Sequence, residues 1–160
     1  MCRSKWICYL RYIILLAAFL GVSVFAQTAE VKREKFDPAK NPAEDLKQAV
    51  KIATAEGKKI LLDVGGEWCP WSHRLDEFIE ETPEVKSALN DAFVTMKVNY
   101  SKENKNEDFL SQFPKIGGYP HFFVLNSDGS FLQSQDTGEL EEGKGYSKEK
   151  FLVFIEKFKQ

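Results

Sequence analysis

The residues with the clearest chemical potential lie within one short segment. An apolar run, 60–64, contains a single acid, Asp63, and is followed by two glycines and by Trp-Cys-Pro-Trp-Ser, which places Cys69 three residues before Ser72. This pattern predicts a strand, a tight turn and a helix that begins at the cysteine. The first turn of a helix has unpaired N–H groups and the positive end of the helix dipole, and both favour a thiolate. Cys69 is therefore a candidate nucleophile.

The same position indicates what surrounds the sulfur. A cysteine at a helix end does not lie on the face that packs into the core, so we expect Cys69 to be accessible. His73 follows four residues later on the same helix face. His121 is the only other histidine in the sequence, and two ligands are too few for a zinc site. We therefore expect no metal here, and an exposed His73 that adds positive charge near Cys69 when it is protonated.

The segment 63–72 resembles the active-site segment of the thioredoxin superfamily, whose members carry Trp-Cys-x-x-Cys after a strand that ends in a buried acid. The resemblance implies that Cys69 is the attacking cysteine, that Asp63 is the buried acid and that Trp68 is the preceding tryptophan. Ser72 stands where the family has its resolving cysteine, which is the main departure from the pattern. The expected catalytic residues are therefore Cys69, Ser72 and Asp63.

A second landmark supports the resemblance. Gly-Tyr-Pro at 118–120 comes just before a predicted strand. The family has a cis proline at this place, facing the active-site cysteine, so the resemblance implies that role for Pro120. Ordinary packing around the helix start is one explanation for the aromatic residues near the sulfur. The other is an apolar rim that accepts an unfolded peptide, formed by Trp68, Pro70, Trp71, Tyr119 and Pro120.

Ser72 decides which chemistry remains open. A thiolate of Cys69 can attack a disulfide and form a mixed disulfide with a client protein. A serine forms no disulfide, so the dithiol cycle is excluded, and release needs an external thiol such as glutathione or a second client cysteine. We expect Ser72 either to donate a hydrogen bond to the thiolate or only to cap its helix turn. Asp63 either tunes the site electrostatically or is a structural remnant.

Residues 1–26 have the pattern of a secretory signal peptide. Three basic residues and no acid precede an apolar run of 14 residues, 12–25, and small residues precede Gln27. The run is shorter than the ~20 residues that span a bilayer, so we expect cleavage and no stable membrane anchor afterwards. Cleavage would leave 19 Lys and Arg against 24 Asp and Glu, a net charge of −5, and one cysteine of three. A single thiol in an exported protein forms no internal disulfide.

The remaining chain is predicted to form one domain. Residues 27–43 are expected to be a flexible arm, and residues 44–160 form the domain. Its helix and strand patterns include an early β-α-β crossover, a hairpin turn at 126–129 and a closing helix, with a loop at 136–146. This order indicates an α/β sandwich. The resemblance adds a thioredoxin-like fold, with a central mixed β-sheet flanked by helices.

Composition and resemblance together define the expected function. The net charge of −2 without a basic cluster gives no indication of nucleic-acid binding, and no cofactor is expected. The signal-peptide pattern implies a periplasmic or secreted protein. The resemblance implies that it acts on thiols or disulfides of client proteins, as an isomerase or a glutathione-linked reductase. The alternative is a non-catalytic thioredoxin-fold module that binds clients in a chaperone-like way. A thiol peroxidase ranks last, since no Thr or Arg accompanies Cys69 as in the peroxidase pattern.

Overall fold

The computed structural model of this protein describes residues 33–159. The predicted signal peptide, residues 1–26, and the start of the predicted arm, residues 27–32, lie outside the described residues. Two of the three cysteines, Cys2 and Cys8, also lie outside them.

The described residues alternate between helices and strands. The α-helices are α1 (Pro42–Glu56), α2 (Pro70–Glu81), α3 (Pro83–Ala92), α4 (Glu107–Leu110) and α5 (Lys148–Glu156). The strands are β1 (Lys59–Gly65), β2 (Phe93–Asn99), β3 (His121–Leu125), β4 (Phe131–Asp136), β5 (Glu141–Glu142) and β6 (Gly145–Tyr146).

The central sheet has four strands in the order β2-β1-β3-β4. β1 pairs with β2 in parallel and with β3 antiparallel, and β3 pairs antiparallel with β4. Apolar side chains cover both faces of β1 and β3, because successive residues of a strand point to opposite sides. One face, with Leu61 and Phe122, packs against helices α2, α3 and α5, and the other, with Leu62 and Phe123, packs against α1 and Phe109. The predicted mixed sheet flanked by helices is confirmed.

The start and end of α1 follow from local chemistry. Asn41 precedes the helix, and its side-chain oxygen accepts a hydrogen bond from the Ala43 N–H at 3.0 Å. Pro42 occupies the first turn, where its missing N–H would have no partner. Gly57 ends the helix with a φ of 70°, a left-handed conformation that glycine adopts without a steric penalty. The helix therefore begins at residue 42, two residues before the predicted domain boundary.

The described part of the predicted arm is packed against the domain. Residues 33–41 contain no helix or strand, but the Phe36 side chain is only 2% exposed. Arg33 forms ion pairs with Glu67 and Asp76. The sequence indicated a loose segment because most of its residues are charged, whereas one aromatic ring and one guanidinium are enough to hold it in place.

The predicted loop at 136–146 is wrong, because this segment contains regular structure. Asp136 accepts a hydrogen bond from the Gly138 N–H and caps a short 3-10 helix, Thr137–Leu140. β5 and β6 then pair as a small antiparallel hairpin. Tyr146 at its end packs against Trp71, Phe78 and Phe151. Glycine and charge dominate the local composition, so the contribution of this one aromatic residue was missed.

None of the helices within residues 33–159 has both the length and the apolar composition that crossing a membrane requires.

His121 is a buried titratable residue of the central sheet. Its side chain lies in the core at 4% exposure, and its Nε2 is 2.7 Å from Ser134 Oγ. Its Nδ1 has no hydrogen-bond partner among the described protein atoms. Burial lowers the pKa of His121 below its usual value, although nearby Asp136 opposes the effect.

We predict that protonation of His121 destabilises the fold at acidic pH. Because its pKa is lower in the folded than in the unfolded chain, the unfolded chain binds the proton more readily. The stability that neutral His121 provides is present above about pH 6.5 and is lost as the pH falls through the folded pKa. The free energy of unfolding in urea, measured between pH 7.5 and 5, should fall more steeply for the wild type than for His121→Gln.

The exposed histidine provides the control. His73→Gln removes a histidine from the surface and should retain the steeper wild-type dependence. Parallel pH profiles for the wild type and His121→Gln would contradict the prediction.

Candidate thiol site

Cys69 lies at the start of α2, as predicted. The turn before it is closed by a hydrogen bond from the Cys69 N–H to the Gly66 carbonyl at 3.0 Å. Pro70 is the first helical residue, where its fixed φ suits the helix, so Cys69 is the N-cap. The sulfur lies 3.4 Å from the carbonyl oxygen of Tyr119. The Tyr119–Pro120 peptide bond is cis, as the resemblance implied.

Cys69 is buried, which corrects the expectation of an accessible sulfur. Only 5% of the residue is exposed, and the backbone carbonyl of Tyr119 lies against the sulfur. Cys69 forms no disulfide and is the one cysteine of residues 33–159. A position at a helix end leaves a side chain accessible only when no other segment covers that end.

Ser72 lies one turn further along α2 and is 1% exposed. Its hydroxyl oxygen has no hydrogen-bond partner in the described protein, so neither expected contact is formed: Ser72 does not donate to Cys69, and its side chain caps nothing. Its backbone N–H donates to the Cys69 carbonyl at 3.1 Å. A Cβ atom at Gly65 would lie 2.6 Å from the Ser72 hydroxyl oxygen. A glycine in β1 is therefore needed for α2 to approach the strand this closely.

Asp63 lies on β1 and belongs to a buried charge cluster that also includes Asp76 of α2. Its Oδ2 accepts a hydrogen bond from Lys97 Nζ at 2.9 Å, and Lys97 also donates to Asp76 Oδ1 at 2.6 Å. Sequence analysis missed Lys97 and Asp76. Asp76 follows Cys69 by seven residues, a spacing that places both on one helix face and could have revealed it. Lys97 comes from β2 and is opposite Asp63 only because the two strands pair in that register.

The cluster perturbs the protonation of both Asp63 and Lys97. Burial raises the pKa of Asp63 above its usual range, and the charge of Lys97 opposes that effect. Burial alone would lower the pKa of Lys97, but the two carboxylates outweigh it and raise the pKa. Asp63 Oδ1 has no partner in the described protein, which is consistent with incomplete compensation of its charge. Asp63 is thus a buried acid, as the resemblance implied.

Two of the expected rim residues come together beside the sulfur. Trp68 is 55% exposed, and its Nε1 donates a hydrogen bond to the Tyr100 carbonyl at 2.6 Å. The Trp68 and Tyr119 rings meet edge to face with centroids 5.9 Å apart, and Tyr119 stacks on Tyr100 at 4.5 Å. Trp68 and Tyr100 also line a largely apolar cavity of about 430 Å³. Sequence analysis missed the contribution of Tyr100 to this surface, because Tyr100 stands in a loop of otherwise polar residues.

The other expected rim residues have different surroundings. Trp71 is partly buried and packs edge to face on Tyr146, with centroids 5.6 Å apart. Pro70 is exposed, whereas Pro120 is buried and its carbonyl accepts a hydrogen bond from Thr137 Oγ1 at 2.6 Å. Trp71 therefore contributes to packing behind the helix start and does not share the exposed surface of Trp68.

A second set of charges supports the turn before Cys69. Arg33 Nη1 donates to Asp76 Oδ2 at 2.6 Å, and its other terminal nitrogen pairs with Glu67. The Glu67 carbonyl is 2.8 Å from Nε2 of His73, which is exposed, as expected. Burial would raise the pKa of Glu67, but the Arg33 guanidinium and the Phe36 N–H lower it below the usual value.

Among residues 33–159, no three His, Cys, Asp or Glu side chains are arranged to hold a metal ion.

A cysteine at a helix start, a cis proline facing it and a buried acid on the neighbouring strand form a candidate thiol site on a mixed α/β sheet. The chain belongs to a family described as thioredoxin-like, whose profile matches residues 41–127. It is 27% identical over 143 residues to the thiol:disulfide interchange protein DsbD of Salmonella typhimurium, covering 85% of this chain. It is 31% identical over 110 residues to the DsbD of Pseudomonas fluorescens, covering 68% of this chain.

These matches concern only part of each relative. The aligned regions span 25% and 18% of the two DsbD proteins. Among solved structures, a disulphide isomerase from Xylella fastidiosa Temecula1 superimposes with a TM-score of 0.67 at 22% identity, over 78% of this chain and 96% of that one. The oxidised C-terminal domain of Neisseria meningitidis DsbD gives 0.55 at 20% identity, over 74% and 97%. The thioredoxin-like fold is thereby confirmed.

We predict that Lys97→Met strongly destabilises the domain. The substitution keeps the length of the side chain but leaves Asp63 and Asp76 buried without their shared cation. Removing one partner of a buried ion pair typically costs about 3–5 kcal/mol. The free energy of unfolding in urea at pH 7 should fall by that order, and adding Asp63→Asn should restore part of it.

Lys105→Met is the matched control. Lys105 is exposed and pairs with exposed Glu107, so its removal should change stability by less than about 1 kcal/mol. Equal effects of the two lysine substitutions would show that the buried cluster does not hold the site together.

Proposed function

We propose that this chain is an exported thioredoxin-like thiol–disulfide protein that acts on client proteins through a single nucleophilic cysteine. The observation that carries the proposal is the position of Cys69, at the N-terminus of α2 with its sulfur facing the cis Tyr119–Pro120 peptide. The family membership and the similarity to DsbD proteins support the same class of chemistry.

The first step is attack on a client disulfide. The Cys69 thiolate forms a bond to one client sulfur, the client S–S bond breaks, and the other client sulfur leaves as a thiolate that takes a proton from water. The helix N-terminus favours the attacking anion. Exposed Trp68 and partly buried Tyr119 provide an aromatic surface next to the sulfur against which the client chain would lie.

Release requires a thiol from outside the chain, because Ser72 cannot supply one. If a second client cysteine attacks the mixed disulfide, a new client disulfide forms and Cys69 is regenerated, which is isomerisation without net electron transfer. If two glutathione molecules act in turn, they leave as glutathione disulfide, and the client keeps both electrons as two thiols. The partners are therefore client thiols or disulfides, and glutathione in the reductive route.

The proposed location is the bacterial periplasm, with secretion as the alternative. The signal-peptide pattern of residues 1–26 supports export, and its apolar run of 14 residues supports cleavage without a stable membrane anchor. A protein with one thiol in the mature chain suits an oxidising compartment in which client disulfides are present.

We predict that the full-length chain with Cys2→Ser and Cys8→Ser, in which Cys69 is the single thiol, reduces the disulfides of insulin only when glutathione is present, and that a further Cys69→Ser abolishes this activity. The physical reason is that each Cys69 forms a mixed disulfide with one client sulfur, and an external thiol must attack that disulfide before Cys69 can react again. The measurement is the rate of insulin precipitation with and without glutathione, together with mass spectrometry of the mixed disulfide at Cys69. One-to-one capture that glutathione does not convert into turnover would favour the binding module over the enzyme.

We further predict that Ser72→Cys converts the site into a dithiol site. A thiol one helical turn after Cys69 resolves the mixed disulfide internally, so each reduced protein should reduce one insulin disulfide without glutathione and end as a 69–72 disulfide. Ser72→Ala is the matched control. Because the Ser72 hydroxyl has no partner, its removal should change the rate of mixed-disulfide formation by less than about three-fold. A Ser72→Cys protein that still accumulates the mixed disulfide would contradict the prediction.

A further inference from the structure

Residues 33–36 contact the site although they precede the region that matches the family, residues 41–127. Arg33 donates to Asp76 Oδ2 through one terminal nitrogen and to Glu67 through the other. The second Glu67 oxygen accepts a hydrogen bond from the Phe36 N–H at 2.9 Å. Four residues of an extended segment thus connect the buried charge cluster to the turn before Cys69.

Arg33 changes the charge balance of that cluster. Asp76 uses both carboxylate oxygens, one for Lys97 and one for Arg33, and both distances are 2.6 Å. Lys97 is also bound to Asp63. Without Arg33, two buried carboxylates would share one ammonium, and an unshared negative charge would remain in the cluster that joins β1 and β2 to α2. Negative charge near a cysteine disfavours its thiolate.

Arg33 also holds the backbone that precedes the nucleophile. Glu67 lies two residues before Cys69, and its carboxylate is bound on both sides by the 33–36 segment. Its carbonyl oxygen accepts a hydrogen bond from His73 Nε2 at 2.8 Å, which connects the turn to the first turns of α2. The orientation of the N-terminal end of α2 relative to the sulfur therefore depends on contacts that Arg33 and Phe36 supply.

The Phe36 ring covers part of the charge cluster formed by Asp63, Asp76 and Lys97. Lys97 Nζ lies 4.1 Å from the centroid of the Phe36 ring, a favourable cation–π position. A Cβ atom at Gly65 would lie 2.9 Å from the edge of this ring, so the ring rests directly on β1 beside Ser72. The ring excludes water, and an electrostatic interaction is stronger where water is excluded.

We propose that Arg33 is a positioning residue for the chemistry of Cys69: by binding Asp76 and Glu67 at once, it limits the negative charge on α2, the helix that begins at Cys69, and holds the turn that precedes the sulfur. This inference rests on the proposed function for its biological meaning, but it concerns a property of the thiol that needs no client. The same contacts make Arg33 and Phe36 part of the working site.

Several titratable and charged groups lie on α2, on the turn before it and on neighbouring strands, so the test must isolate Arg33 from the others. Those on α2 and the turn before it are Glu67, His73, Arg74 and Asp76; those from other elements are Asp63 on β1, Lys97 on β2 and Tyr146 on β6. Burial raises the pKa of Tyr146, so this group stays neutral in the range of interest. Only Arg33 among the charged groups is altered in the first comparison.

The test is the rate of Cys69 alkylation by iodoacetamide against pH, in the full-length chain, read by mass spectrometry on the tryptic peptide 60–74. This peptide contains no other cysteine, so Cys2 and Cys8 do not interfere. For Arg33→Ala, we expect the midpoint of the profile to move to higher pH and the rate at pH 7 to fall by about two- to ten-fold. The shift should shrink in 1 M salt, since the Arg33 side chain is 29% exposed.

Three further variants make the result specific. Arg33→Lys keeps one charge but loses the double contact, and should give a smaller shift. Adding Asp76→Asn to Arg33→Ala removes the uncompensated carboxylate and should return the midpoint towards the wild-type value. Lys35→Ala, at an exposed residue of the same segment, should leave the profile unchanged.

A profile of Arg33→Ala that coincides with that of Lys35→Ala would overturn the proposal. A uniform increase in rate at all pH values, with the midpoint unchanged, would also overturn it, because that result means that the segment only covers the sulfur. Failure of the proposed function is separate: a chain whose Cys69 alkylation responds to Arg33 but that never turns over insulin would retain the positioning role and lose the enzymatic one.

Discussion

The site depends on the ammonium group of Lys97, which is shared between two buried carboxylates. Burying a carboxylate is costly unless an opposite charge and hydrogen bonds replace its water. Lys97 meets this requirement for Asp63 on β1 and for Asp76 on α2, and so connects two strands and one helix through a single nitrogen. The helix that begins at Cys69 is therefore oriented by charge as well as by the apolar contacts of Leu75 in the core.

Under the proposed function, this cluster supports a thioredoxin-like site that lacks the second thiol. Cys69, the cis peptide at Pro120 and the buried Asp63 keep their places, while Ser72 fills the position of the missing cysteine with an unpaired hydroxyl. Under the proposed function, the chain carries out the capture half of a thiol–disulfide cycle and depends on another thiol for the second half. Because only 5% of Cys69 is exposed, the access of a client disulfide to the sulfur is restricted.

A short segment that lies outside the region that matches the family contacts the site. The match to the family begins at residue 41, yet Arg33 and Phe36 bind the turn and the charge cluster of the site. A family match therefore identifies the fold and the cysteine but does not delimit the residues that surround them. In this protein, the segment before α1 belongs physically to the same unit as the sheet.

The sequence by itself determined the fold class, the order of the main elements and the position of Cys69 at a helix start, because these depend on local patterns of apolar residues, glycine and proline. It also identified Asp63 and Pro120 through a motif in which spacing along the chain is sufficient. Only the tertiary structure decided that the sulfur is buried, that Lys97 lies opposite Asp63, and that Arg33 reaches Asp76 across 43 residues. Those facts depend on the register of paired strands and on contacts between segments that are distant in the sequence. Neither is encoded in the spacing of nearby residues.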